Sequence, residues 1–321
     1  MSTATASPHD PILPEVKMHL VRPTEPVFAT ITKNERCTVS KKSASYIRQV
    51  EFDVSGTPLV GKCIAGQAIG VVAEGTDKDG KPHKVRLYSL SSPSDGIDGQ
   101  GKVYSVTVKR AIDEHWDNSK LFLGVCSNYL CDRAVGDKVK VSGPNGKRFL
   151  LPTDVNKHDY MFFATGTGIA PFRGMLLDLF KAQCKSKITL FMGAPHATDL
   201  LYHDFFLDMQ SKFPNFRYLT AISREKQADG RDKLYVQERL HTNRDEILPQ
   251  LASERNLIYI CGLAGMELGI FQQIALGLQG SQLEQYLQCD APALQDIRSW
   301  NRQMIHKEVR PTKRILMEVY A

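Results

Sequence analysis

Gly166-Thr167-Gly168-Ile169-Ala170-Pro171 stands between a short apolar run and a helical stripe. Glycines at such a turn let the backbone approach a pyrophosphate, and a helix N-terminus adds free N–H groups and positive potential. Pro171 takes the place of the third glycine of the usual dinucleotide fingerprint. A plain tight turn would give the same GxG, so the strand–turn–helix context carries the ligand reading. Ser223-Arg224-Glu225 offers a hydroxyl and a guanidinium suited to a 2′-phosphate, with Lys233 as a second cation and Tyr235 as a ring for adenine. Taken alone, the same residues make a solvated basic loop. Cys261-Gly262-Leu263 ends another apolar run, where a thiol either touches a nicotinamide or fills the core.

Three further groups lie outside these. Arg86-Leu87-Tyr88-Ser89 puts Arg86 and Tyr88 on one face of a strand, a cation for a pyrophosphate beside a ring for a flavin, or an ordinary strand with an exposed arginine. Gly124-Val125-Cys126-Ser127-Asn128 reads as a loop entering a short helix, with backbone N–H groups and Ser127 able to hold phosphate, or with Ser127 or Asn128 as a simple cap. The chain ends Met317-Glu318-Val319-Tyr320-Ala321, and a near-terminal aromatic is either frayed or core.

Composition narrows the classes. The chain has 321 residues, 42% hydrophobic and 24% charged, which excludes wholesale disorder and suggests two domains. Lys plus Arg is 41 and Asp plus Glu is 35, a net charge of +6: too small to demand nucleic acid, but suited to an acidic partner. The seven cysteines form no CxxC pair, so a disulfide framework, a zinc site and an all-cysteine iron–sulfur cluster are poorly supported. They favour a reducing compartment. The first residues, MSTATASPHDPILPEV, lack the basic start and apolar core of a secretory signal and the arginines of a transit peptide, and read as a loose tail over residues 1–15. Leu257–Leu278 is long enough to span a membrane, but Gly262, Gly265, Glu267, Gln272 and Gln273 break it into a buried strand and a helix.

The elements that must position these groups change rhythm along the chain. Up to about Pro152, short β-like runs alternate with turns, as in Val103–Arg110 and Val139–Val141 before Ser142–Gly146, which predicts an antiparallel barrel or sandwich. After Asn156, apolar runs at Tyr160–Ala164, Lys187–Met192, Phe216–Ser223 and Leu257–Cys261 read as strands with helices between them. Phe172, Met175, Leu176, Leu179 and Phe180 make a helix stripe, with Pro171 expected at its first position.

The order of the motifs is more specific than any one of them. RLYS, GVCSNYLCD, GTGIAPFR, SRE followed by KLYVQ, YICGLAGME and a terminal EVY, together with GQAIGVV and GTDKDGKPHKVRLYSLSS, resemble the ferredoxin–NADP⁺ reductase family in its plastid-type branch, from about Gly61 to Tyr320. The resemblance implies a two-domain fold: an antiparallel β-barrel FAD domain over 16–155, followed by an α/β doubly wound parallel-sheet NADP domain over 156–321. It implies FAD contacts from Arg86, Leu87, Tyr88 and Ser89, an FAD adenosine side lined by Thr107, Val108 and Lys109, and an FAD pyrophosphate held by Gly124, Val125, Cys126 and Ser127. It implies NADP contacts from Thr167, Ala194 and Pro195, selection of NADP over NAD by Ser223, Arg224, Lys233 and Tyr235, and a nicotinamide beside Cys261, Gly262 and Leu263. Tyr320 would cover a flavin face, Glu318 would lie at the reacting edge, and the catalytic set would be Ser89, Cys261, Glu318 and Tyr320.

The implied activity is hydride exchange with NADP(H) and single-electron exchange with ferredoxin or flavodoxin. Lys41, Lys42, Lys84, Lys307, Arg310, Lys313 and Arg314 are candidates to steer the acidic partner. The implied location is cytoplasmic, with a plastid stroma as the alternative, and no membrane segment or nucleic acid is expected. Three departures stand out. Asp113 stands near the place of the family's adenine-covering tyrosine, with Trp116 or Tyr104 as alternatives for that task; Ala264 replaces the lysine of GLKGM; and Ala321 follows the terminal tyrosine. Ser223-Arg224 argues against an NADH-dependent cytochrome b5-type relative, and the intact catalytic set argues against a non-catalytic nucleotide-sensing module.

Overall fold

The computed structural model describes residues 8–39, 45–115 and 117–320. Of these, 14–151 and 169–183 form one compact unit, and 8–13, 152–168 and 184–320 form the other.

The first unit carries β1 (Val27–Arg36), β2 (Ile47–Asp53), β3 (Ala68–Val72), β4 (Arg86–Ser89), β5 (Val103–Lys109), a small hairpin of β6 (Ile112–Glu114) and β7 (Leu121–Leu123), helix α1 (Val125–Cys131) and β8 (Lys138–Asn145). Among the described residues six strands pair antiparallel in the order β4-β3-β8-β1-β2-β5. The two ends of that order meet: Leu90 bridges Val106, and Ser91 N donates to Ser105 O at 2.8 Å, so the sheet closes as a barrel. Ile31, Val50, Phe52, Ile69, Val106 and Val139 fill its interior. Each such side chain contributes about 1.5–3 kcal/mol by leaving water.

Val103–Arg110 alternates polar and apolar residues in sequence, yet β5 presents no exposed face. Residues Tyr104 to Val108 are all buried, because α1 packs on β5 and the Ser105 hydroxyl is met by Ser91 at 2.9 Å.

Helix α2 (Ile169–Lys181) follows a 3₁₀ turn at Gly166–Gly168. Pro171 therefore stands third in the helix rather than first, still within the turn whose N–H groups have no intrahelical acceptor. The stripe Phe172, Met175, Leu176, Leu179 and Phe180 is buried as expected. The helix is stitched to the barrel. Arg173 donates to Ser91 O at 2.6 Å, Asp178 accepts from Ser94 N at 2.9 Å and Ser94 Oγ at 2.5 Å, and Lys181 pairs with Asp95.

The second unit is built on β9 (Asp159–Thr165), β10 (Ile188–Ala194), β11 (Phe216–Ile222), β12 (Asn256–Leu263) and β15 (Ile315–Tyr320), all parallel in the order β11-β10-β9-β12-β15 among the described residues. Between them run α3 (His203–Lys212), α4 (Arg239–Thr242), α5 (Arg244–Leu251), α6 (Met266–Gly277), α7 (Gly280–Glu284), a ribbon of β13 (Leu287–Cys289) with β14 (Val309–Pro311), and α8 (Ala291–Gln295). The central strands are buried on both faces, which explains their continuous apolar runs. Leu257–Leu278 divides into β12 and α6, whose Ile270, Phe271 and Ile274 pack with Met161, Phe163, Ile258 and Ile260. Among the described residues no helix is long and apolar enough to cross a membrane. Near the N-terminus, Ile12 O accepts from Thr153 N at 2.9 Å, and Asp10 lies 3.7 Å from Lys313 Nζ.

Candidate active site

In the barrel unit, β4 is the strand that presents Arg86, Leu87, Tyr88 and Ser89. Arg86 and Leu87 are exposed, and Tyr88 and Ser89 are half-buried. The Tyr88 side chain neighbours Cys126, whose thiol donates to Val71 O at 3.7 Å. Burial pushes the Tyr88 hydroxyl far above its ordinary value, and the Cys126 neighbour adds to the rise. Burial also raises the Cys126 thiol, against the opposing influence of neighbouring Tyr88 and Arg86, so both stay protonated.

Gly124 caps α1 in extended conformation without a side-chain cap. A Cβ there would press on Ser127 Oγ and Ala111 Cβ, so glycine is required for close packing. Asn128 holds this turn by donating to Ala111 O at 2.9 Å and Gly124 O at 2.8 Å, and Arg110 Nε donates to its Oδ1 at 2.7 Å. Ser127 Oγ donates to Gly124 O at 3.1 Å and accepts from Ala111 N at 3.2 Å. The amides at the start of α1, including Val125, have no acceptor within the helix. An exposed guanidinium, a half-buried ring and a glycine-led helix start are the set of groups a flavin dinucleotide asks for. Thr107 and Val108 are buried, Val108 within the barrel core, and Lys109 is exposed.

In the sheet unit, the carboxyl ends of the five parallel strands gather the remaining candidates. Gly166 adopts φ +54° with open space where a Cβ would be, as a close backbone approach to a ligand needs. Gly168 is a glycine for another reason: a Cβ there would enter the shell of the Cys261 carbonyl. Cys261 and Leu263 of β12 lie opposite Glu318 and Tyr320 of β15. Gly262 leaves room for Thr165, whose Oγ1 accepts from Leu263 N at 3.1 Å. Thr167 Oγ1 meets the Tyr320 hydroxyl at 2.7 Å. Cys261 is 2% exposed, and burial followed by the Glu318 charge drives its thiol well up, so it stays protonated. Tyr320 keeps 40% of its surface exposed, yet its hydroxyl is pushed up to about 12, chiefly by desolvation. The residue stays partly open to solvent while its hydroxyl is held at the turn.

At the β10 and β11 ends, Ser223 N donates to Ala194 O at 2.9 Å and Arg224 N to Pro195 O at 3.0 Å. Arg224, Glu225, Lys226, Asp232 and Lys233 line a cleft of about 400 Å³. Tyr235 is exposed at its side chain, and its N–H is capped by Glu238 Oε2 at 2.6 Å. A cleft with three cations suits a phosphate, and an exposed ring nearby suits adenine.

The chain is 38% identical to a ferredoxin–NADP reductase of Spirulina sp over 262 residues, 80% of this chain and 88% of that one. It belongs to the ferredoxin–NADP reductase family. Further members of the family include the reductase of Thermosynechococcus vestitus, 36% identical over 85% of this chain and 72% of its own length, and the chloroplastic leaf isozyme 1 of Oryza sativa subsp. indica, 44% identical over 64% of this chain and 58% of that one. An oxidoreductase NAD-binding domain model matches residues 162–271. In fold, the chain matches a ferredoxin–NADP⁺ reductase from Plasmodium falciparum with a TM-score of 0.68 over 94% of this chain and 99% of that one, at 21% identity.

Several expectations drawn from the family pattern need correction. Arg314 is not a surface steering cation: it is 3% exposed, donates to Gln285 Oε1 at 2.5 Å and lies over the Tyr286 ring. Arg310 is paired with Asp290 at 2.8 Å. Lys84, Lys307 and Lys313 are exposed. Tyr104 is not available to cover an adenine, because it is fully buried in the barrel core. Trp116, Lys41, Lys42 and Ala321 lie outside the described residues. Ala264 N donates to Tyr320 O at 2.8 Å, fastening the last strand.

Sequence reasoning passed over Gln227 and Arg239. Gln227 is buried and shapes the Ser223–Lys233 loop, accepting from Ile222 N at 3.0 Å and donating to Ile222 O at 2.8 Å. Arg239, 4% exposed, donates to Gln227 Oε1 at 3.3 Å and Thr220 O at 2.7 Å. A polar pair in an ordinary helix-and-loop stretch carries no pattern that would announce burial.

Proposed function

We propose that this chain binds FAD and NADP(H) and exchanges electrons between NADP(H) and a ferredoxin or flavodoxin. When bound, the flavin accepts or returns a hydride at nicotinamide and passes electrons singly to the protein partner. In this reading the barrel domain over 16–155 holds FAD. The Tyr88 ring flanks the flavin, Ser89 serves its reacting edge, Arg86 and the Gly124–Ser127 turn neutralise the pyrophosphate, and Thr107, Val108 and Lys109 line the adenosine side.

The α/β domain over 156–321 holds NADP(H). Thr167 and its glycines meet the pyrophosphate, and Ala194 and Pro195 flank the adenosine. Ser223, Arg224 and Lys233 grip the 2′-phosphate, and Tyr235 stacks on adenine. Cys261, kept as a neutral thiol, packs against the nicotinamide with Gly262 and Leu263, and Glu318 lies beside it. Tyr320 must leave its Thr167 tether before a nicotinamide ring can take its place.

The observation that supports this most is the convergence of Thr167, Cys261, Glu318 and Tyr320 at the carboxyl ends of three adjacent parallel strands, where α/β sheets bind ligands. The seven free thiols agree with a reducing compartment, read here as cytoplasm or plastid stroma. The test is anaerobic titration of the purified protein with NADPH and with NADH. Stoichiometric bleaching of a flavin spectrum by NADPH, far ahead of NADH, supports the reading. A colourless protein that takes up no FAD defeats it.

A further inference from the structure

The pairing of β10 with β11 runs past both strand ends. Ala194 stands opposite Ile222, and the bonds from Ser223 N to Ala194 O and from Arg224 N to Pro195 O carry the register into the following loops. This brings His196 alongside Glu225, with Nδ1 at 2.5 Å from Oε1. A carboxylate only accepts, so Nδ1 carries the hydrogen whether or not the imidazole is charged.

Glu225 belongs to the wall of the 400 Å³ cleft, with Arg224, Lys226, Asp232 and Lys233. Three cations there face two carboxylates. A phosphate bearing a charge of about −1.5 to −2 has to enter among them. A Glu225 carboxylate without its imidazole partner would compete for the cations and repel the incoming anion at short range.

We propose that His196 is a positioning residue for 2′-phosphate recognition: it occupies the Glu225 carboxylate and so leaves the cations of the cleft to the ligand. The inference rests on reading this cleft as the 2′-phosphate site. Glu225 follows the arginine directly in the chain and lines the same cleft, so the acid stands within reach of the cations that would meet the ligand. His196 meets that acid from the loop that follows β10.

The test compares binding of adenosine 2′,5′-bisphosphate and of 5′-AMP to the flavin-loaded protein by calorimetry. His196→Ala lowers the preference for the bisphosphate by about threefold to tenfold. Glu225→Gln in the same background restores it, and His196→Asn, which can still present an N–H to the carboxylate, keeps most of it. An unchanged preference in His196→Ala overturns the proposal, since an exposed ion pair often does nothing measurable. An equal loss for both ligands also overturns it, because that marks a general disturbance of the loop. Arg224→Ala separates this inference from the reading beneath it. If Arg224→Ala leaves the preference intact, the cleft is not the 2′-phosphate site and both fall. If it abolishes the preference while His196→Ala does not, only the role of His196 falls.

Discussion

The Thr167 and Tyr320 hydroxyls meet at 2.7 Å, tying the turn after β9 to the last residue of β15. The bond works against the desolvation that raises the Tyr320 hydroxyl. Thr167→Val keeps the branched shape and removes the bond. It should raise the Tyr320 titration further, read as the phenolate absorbance missing in Tyr320→Phe. It should also increase nicotinamide occupancy by a factor corresponding to about 1 kcal/mol, the net worth of one such bond. Tyr320→Ser should go further, with greater occupancy and weaker discrimination between NADP and NAD. No change in either quantity would remove the gating role.

Cys261 should resist alkylation. Its thiol is buried and driven upward by burial and by Glu318, so the reactive thiolate is scarce, and each unit of rise cuts that fraction about tenfold. In native protein at pH 8, iodoacetamide should mark the partly covered Cys37 first and Cys289, whose thiol burial also raises, more slowly, while Cys261 labels after unfolding. Peptide mass spectrometry reads the order.

Gly168→Ala should damage the protein without touching a charge. Its Cβ would collide with the backbone carbonyl of Cys261, and backbone cannot swing aside as a side chain can. We expect a loss of about 1–3 kcal/mol in stability and a larger loss in NADP(H) affinity. Gly166→Ala meets no neighbour, so its cost comes from its positive φ alone and should be about 1 kcal/mol. Paired denaturant melts would distinguish the two.

Asp178 gives a pH signature. Burial holds its carboxyl above the ordinary range, against the pull of two bonds from Ser94. The folded chain therefore keeps this proton where the unfolded chain has released it. Its contribution is fully present below the unfolded value, about 3.9, and is lost as pH rises through the folded value. Relative to Asp178→Asn, the wild-type protein should lose stability as pH climbs above the unfolded value of about 3.9. A difference that stays flat across that range would contradict the assignment.

Association with ferredoxin should weaken as salt rises. The net charge is +6, and Lys84 and Lys307 are among the exposed cations. The Debye length is about 10 Å at 0.1 M salt, so steering fades above that concentration. Stopped-flow association rates at graded ionic strength would reveal it.

Much of this was readable before any coordinates. The helix stripe from Phe172 to Phe180 and the doubly buried strands announced themselves by apolar period and run length. The motif order pointed to the family. What escaped was whatever depends on a neighbour distant in sequence. Arg314 reads as a surface cation until Gln285 and Tyr286 enclose it. Tyr104 reads as a spare ring until the barrel closes over it. Gln227 reads as loop filler, although it donates and accepts at the centre of the Ser223–Lys233 turn.

The grouping of α2 with the barrel has a practical consequence for dissecting the molecule. The polypeptide passes from one unit to the other after residues 13, 151, 168 and 183. A single cut near residue 155 separates α2 from the barrel it packs on, so neither half is expected to be self-sufficient. The carboxyl fragment would carry a greasy helix stripped of Ser91, Ser94 and Asp95, and the amino fragment would lack the clasp that those residues receive. Fragment complementation should demand both pieces refolded together, and domain shuffling within this architecture would have to move the helix with the barrel.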